Sequence, residues 1–127
     1  MKSAQSGCRQ MRGKTAYHAG LAAEDSVSQH YDRSGRPVVA RRWRGSIGEI
    51  DLIAREGDVV VFIEVKKSST HALAAEHLSW CQQQRILATA SEFVGGEPKG
   101  QLTDMRFDVA LVDAMGRIEI IENALAA

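Results

Sequence analysis

Cysteine is scarce in this chain. Only Cys8 and Cys81 are present, too few for a disulfide framework and at no zinc-ligand spacing. Both are expected as free thiols in a reducing compartment. No apolar run approaches the length of a membrane span. The opening stretch "MKSAQSGCRQMRGK" lacks the apolar segment of a secretory signal. The expectation is a cytoplasmic protein with no membrane partner. No phosphate-binding glycine loop, nucleophile elbow or Cys-x-x-Cys pair occurs. His18, His30, His71 and His77 show no metal-binding spacing. What remains is an ordinary globular composition, 44% apolar and 25% charged over 127 residues. That suits one domain able to build a core without staples.

Net charge is also absent, but its distribution is uneven. Residues 1–46 hold nine Lys/Arg against three Asp/Glu, and residues 47–127 hold seven against thirteen. The cluster "RSGRPVVARRWR" supplies Arg41, Arg42 and Arg44 beside Trp43. A basic stripe with an aromatic residue suits a polyanion such as nucleic acid. The same arginines on an edge strand also suppress aggregation and pair with acidic neighbours. Alternation places Arg42 and Arg44 on one side of the strand and Arg41 on the other.

The pattern predicts a flexible tail over residues 1–13 and a single domain over 14–127. Tyr17, Leu21, Glu24, Val27 and Tyr31 fall on one side of a helix that Gly35 and Pro37 end. "VVARRWR" reads as a strand, followed by a hairpin over residues 47–67. "SSTHALAAEHL" suits a loop with a short helix. Ser79 and Gln82 then form an S-x-x-Q capping box at the start of a second helix, which Gly95 and Gly96 stop. "MRFDVALVD" and "RIEII" follow as strands. The order is α-β-β-β-α-β-β, an α/β fold whose second helix joins parallel strands.

The chemistry concentrates in "GEIDLIAREGDVVVFIEVKKS". Gly57-Asp58 suits a type II′ hairpin turn. The register it sets puts Asp51 opposite Glu64 and Glu49 opposite Lys66. Strict alternation gathers those four on one face and sends Ile50, Leu52, Ile63 and Val65 to the other. Directly opposed carboxylates destabilise a sheet. A divalent cation between them reverses the sign, and Mg²⁺ (or Mn²⁺) suits such a site because it takes carboxylate oxygens and keeps waters for substrate phosphates. Lys66 would then hold the attacking water or the developing phosphate charge. The alternative is an exposed Lys66–Glu49 salt bridge with Asp51 and Glu64 solvated.

Glu24 interrupts the apolar stripe of the first helix, and a charge on a buried face is normally paired. A helix laid over the carboxylate face would deliver it to the same cation. Gln83 lies on the inward side of the second helix and serves either the site's edge or a backbone contact. Asp108, inside a buried strand, is expected to have a structural partner such as an arginine.

"GEIDLI…FIEVK", with the glutamate of "GLAAED" upstream and "RFDV" downstream, resembles the YraN-like bacterial family. That family is similar to archaeal Holliday junction resolvases among the restriction-endonuclease-like PD-(D/E)XK nucleases. The resemblance runs from Tyr17 to Ala124. It implies a mixed sheet flanked by helices and metal-dependent cleavage of phosphodiester bonds in DNA, branched DNA included. Asp51, Glu64, Lys66 and Glu24 match the family's catalytic positions, with Asp51, Glu64 and Glu24 as metal ligands. At the start of the second helix, where members usually carry a lysine before glutamine, this chain has Gln82-Gln83. Cleaving two strands related by symmetry implies a homodimer. A non-catalytic nucleic-acid-binding module is the other reading, because fold alone does not settle function.

Overall fold

Alternating apolar residues build a five-stranded sheet with one helix on each face. The computed structural model describes residues 14–67 and 79–125. Its elements are α1 (Lys14–Arg33), β1 (Val38–Arg44), β2 (Glu49–Glu56), β3 (Val59–Lys67), α2 (Trp80–Val94), a 3₁₀ turn (Gly100–Leu102), β4 (Met105–Val112) and β5 (Ile118–Ile121). This is the expected α-β-β-β-α-β-β order. The expectations for residues 1–13 and for "SSTHALAAEHL" lie outside the described residues.

The strands lie in sequence order across the sheet. All neighbours are antiparallel except β3 and β4, which run parallel. Parallel neighbours need a crossover, and α2 supplies it. The capping box sets where α2 begins: Ser79 accepts from the Gln82 N–H, and the Gln82 side chain accepts from the Ser79 N–H. Gly57 carries φ 61° in the β2–β3 turn, a conformation cheap only for glycine. Glu56 faces Val59 across it, and the register continues to Leu52 facing Ile63. That is the register the turn residues predict.

β3 is apolar from Val59 to Ile63 because it is covered on both sides. Val61, Ile63 and Val65 pack with Ala23, Val27 and Tyr31 of α1. Val60 and Phe62 pack with Ile86, Ala90 and Val94 of α2. Phe62 stacks on Phe107 at 5.3 Å and meets Phe93 edge-on at 5.8 Å.

Asp108 has the arginine its burial demands. Arg106 grips it through Nε at 2.9 Å and Nη2 at 3.0 Å, and the Tyr31 hydroxyl donates to it at 2.7 Å. Burial, reinforced by the Asp108 carboxylate, holds the Tyr31 hydroxyl far above its usual pKa. The cluster fastens α1 to β4, and Arg106 also pairs with Glu56 of β2.

Two expectations need correction. Ile50 and Leu52 do not share a face: Leu52 packs under α1 and Ile50 under α2. Cys81 is disulfide-bonded rather than free. Pairing depends on spatial approach, which the spacing of two cysteines does not reveal. Cys8 lies outside the described residues.

Candidate active site at the open end of the hairpin

The β2–β3 ladder ends at Leu52 and Ile63, and the site begins one residue beyond. There the Asp51 side chain replaces a strand carbonyl, its Oδ2 accepting the Val65 N–H at 2.8 Å. Asp51 and Glu64 are both buried, 5% and 9% exposed. Lys66 Nζ lies 3.9 Å from Glu64 Oε2. Alternation from Val60 and Phe62 puts Glu64 and Lys66 on the α2 side of the sheet. Asp51 is thus tied to the backbone next to Glu64, and Glu64 in turn pairs with Lys66.

Glu49 parts from them. Its neighbour Ile50 faces α2, so alternation turns Glu49 to the α1 side, where it lies across from Arg44 of β1. The expected grouping of Glu49 with Glu64 and Lys66 is therefore corrected. Among the described residues the ion pair of Lys66 is with Glu64, not Glu49.

The reason lies in a change of facing shared by β1 and β2. Arg41 faces Leu52 and Trp43 faces Ile50, leaving Arg42 across from Asp51. Arg41 pairs with Asp25 of α1, whereas Trp43 packs into the α2 core. The facing reverses between them, at Arg42, whose φ is 52°. A left-handed conformation in a non-glycine residue costs roughly 1–3 kcal/mol and persists only where its surroundings hold it. Arg42 Nε donates to Glu24 Oε1 at 3.1 Å. Arg41 and Arg42 therefore both reach α1, correcting the expectation that Arg41 lies on the opposite side of the strand from Arg42. Arg44 is exposed.

α1 covers the face opposite Glu64 and Lys66, so it does not lay Glu24 over the carboxylate face as expected. Glu24 is buried, 2% exposed, and held by Arg42. Among the described residues no three His, Cys, Asp or Glu side chains form a metal-binding group. Asp51 and Glu64 alone still offer two hard carboxylates, and Mg²⁺ is commonly held by one or two with water and phosphate completing its shell. The donor set fits that cation. Gln83 sits half-buried in the first turn of α2.

Residues 45–48, between β1 and β2, were not singled out by sequence reasoning. Ser46 N–H donates to Glu92 Oε1 at 2.9 Å, and a Cβ on Gly48 would lie 2.7 Å from Thr89 Oγ1. The paired glycines of "RGSIGE" were the available signal: they let this turn lie directly against α2. Arg42 as partner to Glu24 was missed too, although a buried glutamate beside an arginine cluster pointed to it.

Residues 23–112 match the model of the uncharacterised protein family UPF0102. A UPF0102 protein of Cereibacter sphaeroides strain KD131 is 68% identical over 117 residues, covering 92% of this chain and 100% of that protein. One from Roseobacter denitrificans is 55% identical, covering 96% and 95% of the two chains. One from Dinoroseobacter shibae is 47% identical, covering 91% and 86%. With the motif of residues 48–66 in place at the hairpin's open end, the chain belongs to the UPF0102, or YraN-like, family.

Proposed function

We propose that this protein is a metal-dependent endonuclease that hydrolyses phosphodiester bonds of DNA, with branched or otherwise structured DNA as substrate. The observation that carries the reading is the meeting of Asp51, Glu64 and Lys66 where the ladder opens. The Asp51–Val65 bond lends the hairpin some stability, but like charges so placed oppose it. Phosphodiester hydrolysis uses such a group. Asp51 and Glu64 would hold Mg²⁺ or Mn²⁺, which supplies charge stabilisation for the phosphate and a more acidic water.

The chain's own residues divide the remaining work. Lys66, beside Glu64, places its ammonium where a water is held or where negative charge grows on the phosphate. The Val65 N–H fixes one Asp51 oxygen and leaves the other available. Arg44, exposed on the edge strand, offers a phosphate contact that positions DNA without reading its sequence.

The other reading is a DNA-binding module without turnover. The internal pairing of Glu24 with Arg42, and the lack of a three-acid cluster among the described residues, favour it. The test uses purified protein with Mg²⁺ or Mn²⁺ against duplex, single-stranded, flap and four-way-junction DNA. The nuclease reading expects cleavage of at least one, reduced on the order of a hundredfold in Lys66→Ala while DNA binding persists. Size-exclusion of the DNA complex tests the accompanying homodimer. Wild-type protein that binds DNA, takes up no metal and cuts none of these leaves the binding module standing.

A further inference from the structure

Trp80 is 67% exposed, although tryptophan is on average a well-buried residue. It stands in the first turn of α2, which the Ser79 capping box fixes in place. The inward residues of that helix are Ile86, Ala90 and Val94. Trp80 instead shares the outer side with Gln84 and Ser91, both exposed. The packing of α2 therefore gives the ring no task. Its position follows from how α2 lies on the sheet. Beyond the helix, Glu97 is gripped by Arg55 near the hairpin turn. At the other end of β2, a Cβ on Gly48 would meet the Thr89 side chain and the Arg85 backbone. α2 thus runs from the open end of the hairpin towards its turn. At 1.5 Å per residue, Trp80 lies about 7–8 Å further out than Arg85. Three strand residues, about 10 Å, separate Gly48 from Asp51. Trp80 therefore overhangs the open end roughly 15–20 Å beyond Asp51, on the face that carries Glu64 and Lys66. Arg44 and Lys67, both exposed, end their strands at the same rim.

We propose that Trp80 is a stacking platform for an unpaired base, and so the residue that selects branched or single-stranded DNA over intact duplex. This deepens the DNA reading above and rests on it, but it needs neither a cation nor turnover. Inside a duplex both faces of a base are covered by its neighbours. An indole reaches a base only where one face is free, in a single strand, a flap or at a branch point. Stacking of this kind tolerates any sequence and works together with cations that track the backbone. Arg44, Lys67 and Lys66 supply such cations at the rim and inside it. Trp80 then holds a base of the same strand a few nucleotides from the phosphate at Asp51 and Glu64. The strand led into the site is the unpaired one. Trp80 is a specificity residue in this arrangement and does not touch the reacting phosphate.

The test reads binding by the full chain in EDTA. Its labelled probes are an intact duplex, the same duplex with an unpaired flap, and that flapped duplex with abasic sites through the flap. Wild type should prefer the flap to the duplex, and the abasic flap, which keeps every phosphate, should lose the preference. Trp80→Ala is expected to weaken flap binding roughly tenfold and leave duplex binding unchanged. Trp80→Phe, which keeps a ring, should retain most of the preference. Salt slopes should not change in either variant, because no phosphate contact is removed. Tryptophan fluorescence supplies a second readout. The chain has two tryptophans, and the other, Trp43, packs edge-on against Phe93 at 5.3 Å. Flap binding should quench wild type and leave Trp80→Phe nearly unaltered. Equal loss on flap and duplex in Trp80→Ala overturns the proposal, as does an unchanged flap affinity, which would assign the ring to a protein contact. Wild type that binds none of the probes removes the DNA reading and this inference together. Trp80-dependent flap binding without cleavage under Mg²⁺ upholds the inference and removes only the nuclease.

Discussion

Asp51 separates two physical accounts of the site. Opposed carboxylates alone make Asp51→Asn stabilising, because it relieves repulsion from Glu64 worth roughly 0.2–1 kcal/mol. The structure adds an opposing effect, since Asp51 Oδ2 accepts the Val65 N–H at 2.8 Å in a buried setting. A hydrogen bond to a charged group is about twice as strong as a neutral one, and a buried donor left unsatisfied costs about 1–3 kcal/mol. Asparagine still presents a carbonyl to Val65, so the smaller bond and the relieved repulsion nearly cancel. Alanine presents nothing. Asp51→Ala should therefore lose about 1–2 kcal/mol against wild type, with Asp51→Asn near neutral. Urea unfolding of the three proteins measures the difference, and amide exchange at Val65 localises it. If Asp51→Ala is as stable as Asp51→Asn, the Val65 bond carries no weight. An Asp51→Asn variant more stable than wild type by well over 1 kcal/mol would mean that repulsion dominates, on the scale of such pairs.

Asp108→Ala should cost about 3–5 kcal/mol in urea unfolding, because it removes the buried carboxylate that Arg106, the Tyr31 hydroxyl and the Asn123 N–H all bond, leaving Arg106 with Glu56. Tyr31→Phe, which removes one hydroxyl donor, should cost nearer 1 kcal/mol, and equal losses would refute this division. Arg55 grips Glu97 through both guanidinium nitrogens at 2.9 and 3.0 Å, holding that carboxyl below its ordinary pKa. A depressed folded pKa gives stability above the unfolded value, about 4.3, that is lost as pH falls through the folded one. Glu97→Gln should therefore flatten the acid limb of stability measured from pH 6 downward, and an unchanged limb counts against the pair. Gly48→Ala would drive a Cβ onto Thr89 Oγ1, itself tied to the Arg85 carbonyl at 2.7 Å. Overpacking of this kind costs about 1–3 kcal/mol. Adding Thr89→Ala should restore part of the loss, and no recovery would place the strain elsewhere.

The parts of the fold that were legible rest on local rules that tertiary packing leaves alone. Gly57 is needed at φ 61° in a two-residue turn, and that choice fixes every later pairing from Glu56–Val59 to Leu52–Ile63. Ser79 and Gln82 satisfy each other's backbone donors, so the start of α2 is a property of four residues. Asp108 announced a partner because a buried charge cannot stand alone. The sequence did not say which helix face, strand or number would supply each contact. Arg106 stands two residues away on the same strand, but Tyr31 comes from a helix 77 residues earlier. Alternation likewise put Glu64 and Lys66 on one face, yet put Glu49 with them and Ile50 with Leu52.

Those two errors share one cause. An inserted residue would leave a mark, because it shifts the register of everything beyond it. Across Arg42 and Asp51 the register does not shift: Arg41–Leu52 and Trp43–Ile50 belong to the same series, continuing to Arg44–Glu49. What changes is facing, on both strands at once, so that Leu52 and Arg41 look to α1 while Ile50 and Trp43 look to α2. A coordinated reversal keeps partners opposite each other and adds no residue, so the two-residue period carries no trace of it. Nor is there a glycine at its centre to signal a left-handed backbone; an arginine occupies that place. Local rules fail most often where a protein accepts strain for a purpose. Here the failure has a definite consequence. It points Arg42 at Glu24 and leaves Asp51 at the end of the ladder, bonded to Val65 beside Glu64. With regular alternation, Arg41 and Arg42 would face opposite sides, and the Arg42–Glu24 bond would not form.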